Sequence, residues 1–111
     1  MRDMIFICVK FPVKAEHADA WPELTRAFTE ATRAEQGNLF FDWSRSVEDP
    51  HEYVLIEAFQ DDAAEAHVTS EHFKQAQAEL PQYLRETPYI RNQVMAGDHW
   101  DRLGEFEVTP R

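Results

Sequence analysis

Apolar and polar residues alternate along this chain with two periods, one typical of strands and one typical of helices. Four segments have the strand period, and they run from Met4 to Val13, from Asn38 to Val47, from Glu52 to Phe59 and from about Tyr89 to Met95. Helical segments separate the first strand from the second and the third from the fourth. The predicted element order is therefore β-α-β-β-α-β.

This order is typical of the ferredoxin-like, split βαβ arrangement. It is an α+β fold, in which an antiparallel sheet carries both helices on one face. The 111 residues fit a single domain spanning 1–111, with a core at about 3–95. The tail at 96–111 carries aromatic residues that are costly to expose, so we expect it to pack on a partner subunit.

The first helical segment is predicted to run from about Ala15 to Glu35, with Pro22 marking a first turn or a kink. Gly37 follows it, and a glycine in this position commonly ends a helix with a positive φ. The second segment is expected to begin at a cap on Asp61 or Asp62, to break at Thr69–Ser70 and to restart with Ser70 as a second cap. It continues to Leu84, with Pro81 bending or ending it.

The first three strands place apolar side chains on both faces, as Phe40 and Phe41 illustrate. Helices cover only one face of a ferredoxin-like sheet, and an uncovered apolar face is a binding surface. A second copy of the same sheet is the simplest cover. The pattern therefore predicts a two-fold homodimer.

Composition excludes several classes of protein. The formal net charge of −10 argues against nucleic-acid and anionic-membrane partners, since both require a basic surface. The single cysteine, Cys8, excludes an internal disulfide and lies in an apolar run too short to span a bilayer. The N-terminus has no signal-peptide pattern, so we expect a cytoplasmic protein.

Three ionisable residues are the candidate catalytic groups. Glu57 lies within the third strand on the same face as apolar residues, and a carboxylate there is costly unless it is paired or protonated. His67 and His72 follow downstream, and a histidine titrates near neutral pH. They are interpreted as proton-transfer groups in a small pocket. The alternative is structural, with Glu57 bonded to a helix start or an arginine and His72 serving as a cap or surface residue.

No metal and no cofactor are predicted. The five-residue spacing of His67 and His72 places them on different faces of a continuous helix and does not match the His-Glu-x-x-His zinc motif. The three glycines form neither a dinucleotide fingerprint nor a phosphate loop. An enzyme built on this chain would have to bind a small apolar molecule without a nucleotide fold.

Aromatic residues on the second and third strands could form a flat apolar slot for an aromatic ligand, although ordinary core packing explains each of them individually. The candidate substrate-binding residues are Phe41, Trp43, Tyr53 and Phe59, with Arg91 on the last strand as a possible polar contact.

Several of these residues recur in a pattern that resembles the antibiotic biosynthesis monooxygenase (ABM) domain family. A glutamate-x-glycine precedes the second strand, and a glutamate followed by an aromatic lies in the third. A histidine and a small-x-histidine-phenylalanine run then follow. The segments that carry the resemblance are residues 35–41, 49–50, 55–59, 66–67 and 70–73. The resemblance as a whole extends over roughly residues 3–95.

The resemblance implies a dimeric α+β barrel, with two sheets face to face and a pocket between sheet and helices in each subunit. Relatives include monooxygenases that oxidise quinol-like or polycyclic phenols with molecular oxygen and neither metal nor flavin. In such an enzyme Glu57 and His67 would handle protons, while Trp43 and Tyr53 would line the slot.

Other relatives imply other activities. Some degrade haem, but the matching positions here are Lys10, His67 and Gln77, which depart from that pattern. Others isomerise or bind small phosphorylated metabolites. The expected function is a cofactor-independent monooxygenase acting on a small aromatic or quinol-like compound. An isomerase or ligand-binding dimer of the same fold is the alternative, and a structural or regulatory dimer with a closed pocket is the third.

Overall fold

A computed structural model describes residues 2–110 and contains a four-stranded sheet with the order β2-β3-β1-β4. The strands are β1 (Met4–Pro12), β2 (Asn38–Arg45), β3 (Glu52–Gln60) and β4 (Tyr89–Met95). Each neighbouring pair is antiparallel. The predicted α+β, ferredoxin-like fold is therefore confirmed.

The first helical segment is not one helix from about Ala15 to Glu35, although Pro22 does lie in a first turn, one of its two predicted roles. It divides into a 3-10 turn at Ala15–His17, helix α1 (Trp21–Leu24) and helix α2 (Arg26–Arg33). The break lies at Thr25, whose hydroxyl donates to the Trp21 carbonyl at 2.9 Å. Side chains that bond to the carbonyl four residues earlier tend to bend helices, and here two short helices result.

The second segment breaks where predicted. Helix α3 (Ala64–Val68) ends before Ser70, and helix α4 (Glu71–Glu79) begins there because Ser70 Oγ accepts the Phe73 N–H. The predicted aspartate cap is wrong, since α3 has Ala63 at its N-cap and no side-chain cap.

Helix α4 ends before Pro81, and a 3-10 turn at Leu80–Tyr83 leads out of it. Proline cannot donate the backbone bond that would continue an α-helix, so the predicted end at this residue is confirmed.

Gly37 is required for close packing and not for a positive φ, contrary to the prediction. Gly97 is the glycine in the left-handed region, with φ of 82°. At Gly37 a Cβ atom would lie 2.1 Å from Cβ of Ala63. Only a residue without a side chain lets the turn after α2 approach the start of α3 this closely.

The two faces of the sheet are covered differently. Towards the helices lie the buried residues Val9, Phe41 and Leu55, which form a core cluster with α2. On the other face Trp100 contacts its own sheet, with its ring centroid 5.1 Å from that of Phe40. Large apolar residues later in the tail are exposed, namely Leu103, Phe106 and Val108. The packing of this tail on a partner subunit stays a prediction.

Helices of the described part of the chain are all too short or too polar to cross a lipid bilayer.

Candidate active site

Two carboxylates and two imidazoles form a continuous chain of contacts beneath the helices. His67 Nδ1 is 2.7 Å from Oε2 of Glu35, and His72 Nε2 is 2.5 Å from the same oxygen. The other ring nitrogen of His67, Nε2, lies 3.8 Å from Oε1 of Glu57. The structure therefore brings together the three predicted catalytic residues and adds Glu35 between the two histidines.

Four different elements deliver these side chains to one place. Glu57 lies in β3 on the face directed towards the helices, and Glu35 follows α2 in the tight turn closed by Gly37. His67 is in the last turn of α3, whereas His72 is in the first turn of α4. The helix is interrupted at Thr69–Ser70, between α3 and α4. The two imidazoles therefore reach the same carboxylate despite their five-residue spacing.

Glu57 is the most perturbed ionisable group in the cluster. Burial, followed by the nearby charge of Glu35, raises the pKa of Glu57 to about 7. Its Oε1 atom is buried and has no hydrogen-bond partner among the described residues. A carboxyl group in this state can gain or lose a proton near neutral pH, which is the property that a general base requires.

His67 is shifted in the opposite sense. Burial lowers the pKa of His67, and the hydrogen bond and charge of Glu35 oppose that shift. A neutral imidazole has one ring nitrogen that carries a proton and one that accepts. With Nδ1 bonded to Glu35, Nε2 is the atom that faces Glu57, so His67 can exchange a proton with it.

Aromatic rings enclose His67 on several sides. The ring centroids of Phe59, Phe73 and Phe28 lie 4.5, 5.0 and 6.0 Å from that of His67. Phe41 in turn contacts Phe28 at 5.5 Å. Two of the predicted substrate-binding residues, Phe41 and Phe59, therefore border the acid–imidazole pair.

Trp43 and Tyr53 pack around Trp21, and Trp43 also contacts Phe41, at 6.0 Å between ring centroids. Both rings contact Trp21, at 5.8 and 6.3 Å between centroids. Trp43 Nε1 donates to Thr29 Oγ1 at 2.9 Å. Tyr53 shares a strand face with Glu57 but precedes it by four residues, a separation of about 13 Å at the rise of a strand.

The hydroxyl of Tyr53 is also already engaged, because it donates to the Ala18 carbonyl at 2.8 Å. Trp43 adjoins Phe41, the cross-strand neighbour of Glu57, and the roles of Trp43 and Tyr53 in substrate binding stay predictions.

Arg91 lies on the opposite face of the sheet from Glu57. In the ladder, Arg91 pairs with Cys8, whereas Glu57 pairs with Ile7. Successive side chains of β1 point to opposite faces, so the two rows are separated by the sheet itself. Asn92, which also pairs with Ile7, is the polar residue of β4 that shares the face of Glu57.

Three cavities border the cluster. A polar cavity of about 480 Å³ is lined by Glu35, Gln60 and Ser70, together with the exposed Arg2 and Asp62. A second, of about 280 Å³, lies between α2 and α4, with His72 in its wall. A third cleft of about 210 Å³ is almost wholly apolar, and its lining includes Phe11, Phe28 and Phe73.

Glu35, His67 and His72 also meet a minimum requirement for a metal site, since one ligand atom from each lies within 4.8 Å of the other two. Two histidines and a carboxylate suit several divalent transition metals. In the structure, one nitrogen of each imidazole has Glu35 Oε2 as its hydrogen-bond partner.

Glu35 is the one member of the cluster that was not among the candidate catalytic residues predicted from the sequence. Its only signal was its place in the glutamate-x-glycine element that precedes the second strand. Nothing in the local pattern relates Glu35 to histidines that follow it by 32 and 37 residues. Only the packing of the turn after α2 against α3 produces that contact.

Comparison with protein families is consistent with this geometry. The family model described as antibiotic biosynthesis monooxygenase matches residues 4–79, which include all four members of the cluster. The chain belongs to the ABM family. The match spans β1 to α4, and thus ends before the last strand and the tail.

Solved structures with the ABM fold include two at 28% sequence identity. One is a Nitrosomonas europaea protein named as an antibiotic biosynthesis monooxygenase, with a TM-score of 0.75 over 87% of this chain and 92% of that one. The other is from Pseudomonas aeruginosa, with a TM-score of 0.72 over 87% and 97%. A Caulobacter crescentus structure, at 20% identity and a TM-score of 0.77 over 90% and 92%, shows the fold alone. No curated protein matches the chain significantly.

Proposed function

We propose that this ABM-family protein is a cofactor-independent monooxygenase that oxidises a small aromatic or quinol-like compound with molecular oxygen. The observation that carries the proposal is the buried Glu57 carboxyl, whose unpartnered Oε1 lies 3.8 Å from His67 Nε2. Its pKa of about 7 suits a general base at neutral pH. Membership of the ABM family supports monooxygenation as the type of reaction.

The reaction needs no group beyond the two substrates. A hydroquinone and one molecule of oxygen give a hydroxyquinone and one molecule of water, so that one oxygen atom enters the product and the other leaves as water. Glu57 removes the first proton, and the electron-rich anion then reduces oxygen and bonds to it. His67 returns a proton to the oxygen that departs. The protein contributes position, proton transfer and exclusion of bulk water.

The apolar cleft beside the cluster is the proposed substrate site. Its lining is almost free of polar groups, as a planar aromatic ligand requires. Phe28 and Phe73 line this cleft and also contact His67. Phe28 and Phe73 therefore stand between a ring bound in this cleft and His67, and the Phe73 side chain would have to move aside for the ring to approach the imidazole.

Oxygen uptake across a panel of hydroquinones tests the proposal. We expect turnover of at least one member, with one hydroxyquinone formed per oxygen consumed. Glu57→Gln and His67→Ala should each lower that turnover by about 10²-fold or more, the usual contribution of a general acid–base group. Glu65→Gln and His99→Ala, on exposed residues, are the matched controls and should retain turnover.

Full turnover in both variants would contradict the assigned proton roles. The alternative function, an isomerase or ligand-binding protein of the same fold, is favoured by one feature, because an acid–imidazole pair can move a proton with no oxygen present. Exchange of substrate C–H protons with solvent under nitrogen, without oxygen uptake in air, would establish that alternative.

A further inference from the structure

Glu57 is too deeply buried to exchange its proton with water directly. Its side chain is 8% exposed, and that of His67 is 5% exposed. In the proposed reaction the proton that Glu57 removes ends in the water formed, but a carboxyl group with a pKa of about 7 is protonated in part of the molecules at neutral pH and must lose that proton to solvent before it can act as a base. The two groups therefore need a route to solvent.

Ionisable groups lead outward from Glu57 one after another, and the first separation, 3.8 Å, exceeds hydrogen-bond length, so the two side chains must approach for a proton to pass. From Glu57 Oε1 the first step is to His67 Nε2, and the second runs from His67 Nδ1 to Glu35 Oε2 at 2.7 Å. Glu35 also lines the polar cavity that the exposed Arg2 and Asp62 border. An imidazole suits the middle position, because it can accept a proton at one nitrogen while it releases another.

We propose that Glu35 is a proton-relay residue, which takes from His67 the proton that the resting Glu57 carboxyl gives up and releases it into the polar cavity. This inference rests on the proposed role of Glu57 as the base. Each step balances: Nε2 of His67 gains the Glu57 proton, Nδ1 gives its own proton to Glu35, and the Glu35 carboxylic acid loses it to water. His67 returns to its starting state after a ring flip or the reverse exchange.

His72 contacts Glu35 but does not take part in the proposed proton transfer from Glu57 through His67 to Glu35. Its Nε2 is 2.5 Å from the same oxygen of Glu35, so an N–H there stabilises the ionised carboxylate. The cluster thus has Glu57 from β3, His67 from α3, His72 from α4 and Glu35 from the turn after α2. Arg33 of α2 lies nearby in sequence, but its guanidinium donates to the Phe41 carbonyl.

The test measures proton exchange at Glu57 and needs no substrate. A photochemical pH jump is applied, and the carbonyl stretch of the protonated Glu57 carboxyl is followed by time-resolved infrared spectroscopy. Loss of the band in Glu57→Gln assigns it. In Glu35→Gln, which keeps the shape but not the acid, we expect the exchange rate to fall by about tenfold or more.

Two comparisons separate a relay from a structural role. Added formate, a small acid that enters the polar cavity, should restore the rate in Glu35→Gln and leave the native rate unchanged. Glu30→Gln, on an exposed residue of α2, should exchange like the native protein. An unchanged rate in folded Glu35→Gln would overturn the proposal.

A second measurement applies if Glu35→Gln does not fold. In the native protein the transfers from Glu57 to Nε2 and from Nδ1 to Glu35 are proposed to occur in one concerted step, so exchange measured across mixtures of light and heavy water should depend on the deuterium fraction with marked curvature. A linear dependence would overturn the relay. The exchange experiment and the oxygen-uptake assay test different proposals. Slow exchange in Glu35→Gln, together with no oxygen uptake by the native protein, would support the relay and refute only the proposed monooxygenase activity.

Discussion

His67 Nδ1 lies 2.7 Å from Oε2 of Glu35, a residue 32 positions earlier in the chain. This hydrogen bond joins the turn after α2 to the last turn of α3. It fixes the orientation of the imidazole, so that the opposite nitrogen faces Glu57. The electrostatic state of the buried acid thus depends on a contact between two distant segments.

Glu57 should make the stability of the protein depend on pH. Its folded-state pKa of about 7 exceeds the ordinary value of 4.5. The stabilising contribution is therefore complete below about pH 4.5 and is lost as the pH rises through about 7, at a cost of roughly 3 kcal/mol. Urea unfolding of the native protein and of Glu57→Gln should differ by this pH-dependent amount. A constant difference between pH 4.5 and 8 would contradict the burial argument.

Catalysis should depend on pH through the same group, in the opposite sense to stability. A base must be ionised, so kcat/KM for a turned-over hydroquinone should rise as the pH passes through about 7. Replacing Glu35 with Gln removes the nearby charge that contributes to the raised pKa, and the midpoint should move to lower pH. A midpoint unchanged in Glu35→Gln would show that burial alone sets the value.

Gly37→Ala should destabilise the fold by about 1–3 kcal/mol, the usual cost of overpacking, because the new Cβ would lie 2.1 Å from Cβ of Ala63. Gly104→Ala is the matched control, since nothing lies within 4 Å of its added Cβ, and it should change stability by no more than about 0.5 kcal/mol. Thermal unfolding monitored by circular dichroism measures both. Recovery of stability in the Gly37→Ala/Ala63→Gly double variant would identify the clash as the cause.

The face of the sheet opposite the helices should hold two subunits together. Ile56 lies near its centre and is only partly covered by its own chain. Sedimentation should show a dimer at micromolar concentration, and Ile56→Arg should dissociate it by placing a charge in an apolar interface. Val47→Arg, at a residue 99% exposed, is the control. A stable monomer of the native protein would refute the dimer.

Turnover should require no metal ion, because the proposed reaction uses only the two substrates and the proton transfers of Glu57 and His67. Protein dialysed against a chelator and shown by elemental analysis to lack iron, copper, manganese and zinc should oxidise a hydroquinone substrate at the native rate. Restoration of a lost activity by one of these ions would instead assign Glu35, His67 and His72 as its ligands.

Local sequence determined the elements and much of the site chemistry. Strand alternation placed Glu57 on the face of β3 directed towards the helices, and the Ser70 cap restarted the helix that carries His72. These features follow from interactions within a few residues, which a periodic pattern records directly. The break at Thr25 was missed because helix periodicity continues through a threonine whose hydroxyl competes for a backbone carbonyl.

Tertiary structure alone decided which side chains meet. Glu35 reaches both histidines because Gly37 lets its turn pack against α3, whereas the hydroxyl of Tyr53, on the same strand face as Glu57, is engaged by the Ala18 carbonyl. Arg91 is separated from Glu57 by strand register, which sequence alternation within β4 cannot fix. Periodicity along a chain specifies which face of a helix or strand each side chain occupies. Distances between separate elements depend on how those elements pack, which is a property of the folded chain as a whole.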